Sequence, residues 1–191
     1  MRFIFGNAPV VQGQSPVAEG WRKIPALGAK YIQSYGLIVS CIGMLLVGVL
    51  LAGSIKPSST WTAVLILVIT LPLHELFHAL TTPDWGLSDR TVIGLQRSKG
   101  LIMPYMFYDG NQPLWRMLLS GLTPLMLLTV LPVILILFAP LNPASRADLG
   151  FLAFFNVAIS GGDLVNFIWI ATHLPLHATV KGVGWGLLWK D

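Results

Sequence analysis

Apolar positions along this chain gather into four long runs that carry almost no charge. Short polar connections and one mixed stretch separate them. The runs cover about Tyr35–Ile55, Trp61–Leu80, Leu114–Phe138 and Leu149–Thr172. Each is near or above the roughly 20 residues a helix needs to cross the hydrocarbon core of a bilayer. The pattern predicts an all-α integral membrane protein with about four transmembrane helices. Residues 1–31 read as an N-terminal arm, since Gly6, Gly13, Pro16, Gly20 and Pro25 interrupt any helix there. That arm holds no apolar run long enough for a signal-peptide core. Residues 32–191 read as a single membrane domain, with a loop at 81–113 and a tail at 173–191.

Between the second and third runs the pattern changes. Thr91–Gln96 and Leu101–Tyr108 are rich in β-branched and aromatic residues, and Arg97-Ser98-Lys99-Gly100 between them is turn-like. This predicts a small β-hairpin, with Pro104 confining its second strand to an edge or a bulge. The tail around Ala178–Leu188 can hold a further short strand, broken by Gly182, Gly184 and Gly186.

Composition agrees with a bilayer. Only 10% of the 191 residues are charged and 54% are hydrophobic, with a mean hydropathy of +0.72. Soluble domains carry roughly 25% charged residues. The net charge of +4 is small and scattered, which excludes the basic patch of a nucleic-acid binder. The one cysteine, Cys41, allows neither an internal disulfide nor a cysteine zinc site. Basic residues set the orientation. Arg2, Arg22, Lys23 and Lys30 precede the first run, Arg90, Arg97, Lys99 and Arg116 lie around the long loop, and Lys181 and Lys190 lie in the tail. The other two loops hold only Lys56 and Arg146. An excess of Lys and Arg marks the cytoplasmic side, so both termini and the hairpin are expected there. The compact chain suits a bacterial plasma membrane.

Against this background His74-Glu75-Leu76-Phe77-His78 stands out. On a helix, histidines at i and i+4 share one face and can bind one Zn²⁺. The glutamate between them is placed to take a proton from the activated water. Ionisable groups at membrane depth are expensive and are functional candidates by default. A hydrolytic zinc site needs three protein ligands and an open position. Glutamate is excluded as the third ligand, since the only glutamates are Glu19 and Glu75. Asp84, Asp163, His173 and His177 remain. His74 lies 13 residues along the second run, roughly 20 Å deep at about 1.5 Å per residue. Asp163 lies at nearly the same depth on the fourth, which makes it the best candidate. Ser160, Gly161 and Gly162 before it permit close helix approach or local unwinding. Asp84 follows Pro83 and reads as a loop aspartate, while His173 and His177 straddle Pro175 near the interface. Asn156, about two turns from Asp163 on nearly the same face, can donate to a developing oxyanion or bond between helices.

HExxH in the second span and Asp163 in a late one resemble the site-2 protease family of intramembrane zinc proteases, in which such residues bind the metal. A small four-span membrane family of zincin peptidases is more similar still, with an asparagine seven residues before a Gly-Asp pair, as in Asn156 and Gly162-Asp163. Site-2 proteases usually carry a proline between these two residues and a glycine after the aspartate. Here Ile159 and Leu164 occupy the nearby positions. The resemblance, over residues 20–190, implies a zinc metalloendopeptidase with His74, His78 and Asp163 as ligands and Glu75 as general base, acting on a membrane protein or peptide. The rival readings are a non-catalytic zinc-binding scaffold, chaperone or immunity factor, a four-helix haem protein ligated through His74 or His78 with His173 or His177, and a metal transporter.

Overall fold

A computed structural model describes residues 1–6, 20–24, 27, 29–98, 101–183 and 186–191. Its helices are α1 (Ala29–Leu50), α2 (Thr60–Leu80), α3 (Leu114–Phe138), α4 (Pro143–Ile159) and α5 (Gly161–His173). The chain divides into two compact units. One comprises Ala29–His74 and Leu122–Asn166, the other Met1–Gly28, Glu75–Gly121 and Phe167–Asp191.

The first unit is helical. Its core is Val47, Leu51, Ile136, Ala153 and Val157. Local chemistry explains its helix ends. α1 starts earlier and stops earlier than the hydropathy run, because Gly53 adopts a φ of +88° and Pro57 follows. α2 opens on Ser59, whose Oγ accepts from the Thr62 N–H at 3.0 Å, and α4 on Asn142, which accepts from Ser145 N–H at 2.8 Å. Both are N-caps that satisfy otherwise orphaned donors. α2 continues through Pro72. α3 carries Pro124 and Pro132, neither able to donate to the ladder, and between them Met126–Val130 widen into a π turn. The fourth run is broken at Ser160, where α4 and α5 meet at a bend of 53°. α1, α2 and α3 are each long and apolar enough to cross a membrane, and the bent pair makes a fourth span if counted as one. Leu37, Leu45, Leu46 and Val49 on α1 are exposed, as suits a surface solvated by lipid.

The second unit corrects the all-α expectation. Among the described residues it holds seven strands in two sheets. β1 (Arg2–Phe5) pairs in parallel with β3 (Thr91–Ser98), which pairs antiparallel with β4 (Leu101–Tyr108). These last two are the expected hairpin; its Lys99-Gly100 connection lies outside the described residues. Pro104 sits on β4 at the sheet edge, opposite Leu95. The second sheet runs β2 (Arg22–Lys23), β7 (Gly186–Lys190), β6 (Thr179–Val183), β5 (Asn111–Pro113). Val92, Tyr105 and Phe107, joined by Ile4, form one core. Ile24, Leu114, Leu174, Ala178 and Val180 form the other. The strand expected in the tail is present as β6 and β7, whereas β1 and β2 in the arm were not foreseen, because strands of four and two residues are too short to show a period and their partners lie far away in sequence.

Candidate metal centre

α2 carries His74, Glu75 and His78, all buried. One turn separates the two histidines, so the helix alone puts them on one face. Each imidazole is held by its Nδ1. The Nδ1 of His74 lies 3.0 Å from Asn156 Oδ1. The Asn156 amide faces the Pro124 carbonyl at 3.1 Å, which can only accept, so that side is the donor and Oδ1 is left to accept from His74. That makes Nδ1 of His74 the N–H donor and turns its Nε2 to the Asp163 side. His78 donates from Nδ1 to the Ser120 carbonyl at 2.7 Å. An acceptor on the far ring nitrogen is the usual support for a metal-binding histidine.

Asp163 stands in the first turn of α5, and its Oδ2 lies 3.0 Å from His74 Nε2. A ring nitrogen and a carboxylate oxygen at that distance need a proton or a cation between them. Ligand atoms of His74, His78 and Asp163 all lie within 4.8 Å of one another, and no other such group of histidine, cysteine or carboxylate side chains occurs among the described residues. Two imidazoles and one carboxylate form the donor set of a hydrolytic zinc site. The residues present therefore fit the metal.

The remaining candidates lie elsewhere. Asp84 is exposed, in the short turn Pro83–Gly86 after α2, with a φ of +62°. His173 is exposed and lies at a tilt against Trp169, with ring centroids 3.7 Å apart. His177 is exposed and lies 3.8 Å from Asp191. A haem ligand pair that draws on either of these histidines would have to use a side chain turned to the surface.

Asn156 is fully buried, and its amide nitrogen is taken up by the Pro124 carbonyl, Thr129 Oγ1 at 3.0 Å and Ser160 Oγ at 3.3 Å. It makes the interhelical hydrogen bonds expected as one of its two roles, and holds His74 besides. Thr129, Pro124 and Ser120 were not singled out from sequence, and Ser160 was named only for helix approach or unwinding. The signal was there for Thr129 and Ser120, which with Thr123 are the hydroxyls of the apolar third run.

The chain thus combines helices long and apolar enough to cross a membrane with a histidine and aspartate group that could hold a metal. The chain belongs to the family described as "Putative zincin peptidase", whose sequence profile matches residues 65–179. No curated protein and no solved structure matches the chain.

Proposed function

We propose that this protein is an intramembrane zinc metalloendopeptidase of site-2 protease type, cutting membrane proteins or membrane-associated peptides. The observation that carries the reading is the convergence of His74 and Asp163 at 3.0 Å, with His78 one turn along the same helix. His74, His78 and Asp163 would hold the zinc, which when bound would supply an acidified water and polarise a carbonyl. Glu75, next to the first ligand, accepts the proton of the attacking water and returns it to the leaving amine. Asn156 and the Ser120 carbonyl keep both imidazoles in the ligating tautomer.

A substrate helix must unwind before its peptide bonds become accessible. β4 is an edge strand of its sheet, and an edge offers the freed backbone replacement hydrogen bonds by strand addition. The site is proposed to open to the cytoplasm, in a bacterial plasma membrane. A non-catalytic zinc scaffold would have no use for Glu75, which is why the enzyme reading is preferred.

The test is zinc content of detergent-purified protein beside Glu75→Gln, His78→Ala and Asp163→Ala. About one zinc per chain is expected, as in a three-ligand site, kept in Glu75→Gln and lost in the other two. Wild-type protein in vesicles should then cleave a labelled transmembrane peptide that Glu75→Gln leaves intact. Zinc retention in Asp163→Ala would remove the third ligand. Equal activity of wild type and Glu75→Gln would sink the hydrolytic reading.

A further inference from the structure

The three-stranded sheet has two apolar faces; one forms a core, while the other is buried at its Thr91–Tyr108 end and opens toward β1. Directly paired residues in a ladder share a face. On one face Ile4, Val92, Tyr105 and Phe107 form the core already described. On the other, the ladder aligns Phe3 with Ile93 and Met106, and Phe5 with Leu95 and Pro104. All six are apolar. Phe3 is 73% exposed and Phe5 87%. An antiparallel hairpin with one wet face normally alternates apolar and polar, so this surface is built for an apolar neighbour.

The same unit indicates which neighbour. α2 ends at Leu80, and Trp85 and Leu87 directly after it are both exposed. The N-terminal amine of Met1 donates to the Leu87 carbonyl at 2.9 Å, tying the start of β1 to the end of this span. Thr82 and Thr91 share a hydroxyl hydrogen bond of 3.1 Å, tying β3 to the same place. The apolar sheet face is therefore continuous with the exit of a membrane helix, where an exposed tryptophan marks the interfacial layer. Arg90, exposed, stands just before β3, where it can meet lipid phosphates.

We propose that this face, with Phe3 and Phe5 as its anchors, rests in the interfacial layer of the bilayer that holds α2. The N-terminal strand is then a lipid-docking element, a role separate from the chemistry at the metal centre. Two bulky aromatics two residues apart on one strand enter the acyl boundary together, and every strand of the sheet contributes to the buried face.

The experiment uses the full chain in Cys41→Ser background, with Phe3→Cys and Phe5→Cys made singly and spin-labelled. The protein is reconstituted into phosphatidylcholine vesicles with a minority of phosphatidylglycerol. Leu46→Cys, on the exposed apolar surface of α1, and Ser59→Cys, in the polar connection before α2, serve as lipid and water references. Expected at positions 3 and 5 is an oxygen accessibility several-fold above that of a water-soluble nickel chelate, as at position 46. Nickel accessibility equal to that at position 59 would show a face in water and overturn the proposal. Low accessibility to both would show a protein partner or a second copy there, and would overturn it equally. Because both phenylalanines are so exposed, neither substitution removes a core contact.

Discussion

At the scale of single residues, the centre depends on side chains that never touch the metal. Asn156 accepts from His74 with one end and donates to Pro124, Thr129 and Ser160 with the other. Asn156→Ala removes the acceptor that selects the His74 tautomer, and losses of this kind cost about 10- to 100-fold in metal affinity. Ser120→Ala is the informative contrast. The atom that orients His78 is the Ser120 backbone carbonyl, which survives the substitution. Only the hydroxyl bond to the His78 carbonyl at 2.9 Å is lost, a stability loss of about 1 kcal/mol. Competition for zinc with a chromophoric chelator should show a large drop in Asn156→Ala and almost none in Ser120→Ala. Equal affinities in the two variants would show that Asn156 does not position the ligand. That His74 and His78 share a face was legible in the sequence because their spacing is local. That Asp163 would fall beside them was legible only less directly, through its depth along a span, the lack of a further glutamate and the resemblance. The role of Asn156 was not, since a position on a helix face cannot say which end of an amide points where.

At the scale of elements, adjacent glycines at the break in the fourth run do different things. A Cβ on Gly161 would fall on the Gly36 carbonyl oxygen and the Ser40 hydroxyl of α1, whereas one on Gly162 meets nothing within 4 Å. Ser40 Oγ in turn donates to the Ala158 carbonyl at 2.7 Å, so α1 and the end of α4 are tied where the chain bends. Gly161→Ala must push backbone apart and should cost about 1–3 kcal/mol. Gly162→Ala fills empty space and trades a flexible residue for a helix former, so it should be neutral or stabilising by up to about 1 kcal/mol. Thermal unfolding in detergent measures both. Similar losses in the two would mean that close approach of α1 at Gly161 is not what the glycine serves. The small-residue run pointed in the sequence to close helix approach or local unwinding. The close approach is present at Gly161, together with a bend the sequence did not announce: Ser160 N–H still reaches the Asn156 carbonyl at 3.0 Å and Leu164 N–H the Ser160 carbonyl at 3.1 Å. The hairpin was visible because its strands run for eight residues each. β1 was hidden, since Arg2–Phe5 is four residues long and its parallel partner begins about ninety positions later.

At the scale of the whole chain, strand pairing constrains the crossings. β2 pairs with β7 through Arg22 with Trp189 and Lys23 with Leu188, so the N-terminal arm and the tail must lie on one side of any membrane. β1 pairs with β3, and β5 with β6 through Asn111 to Pro113, which brings the long loop to that side as well. Backbone hydrogen bonds of a ladder cannot form through a bilayer, so the number of crossings between paired strands is even. From Lys23 to Thr91 there are two helices, α1 and α2. From Pro113 to Thr179 there are α3 and the bent pair α4 with α5, which, if α3 crosses, is expected to count as one span. The charges choose the side. Of the twelve lysines and arginines, all but Lys56 and Arg146 lie in the arm, the long loop, the tail or their immediate flanks, and positive residues stay cytoplasmic. A fluorescent protein fused after Asp191 should therefore fold and fluoresce in the cytoplasm, and alkaline phosphatase fused there should be inactive. The same phosphatase inserted after Ser58, between α1 and α2, should be active. Activity at both places would break the parity set by the β2–β7 pairing, while activity only at the C-terminus would keep the four spans and turn the molecule over, so that the metal centre faced the outside.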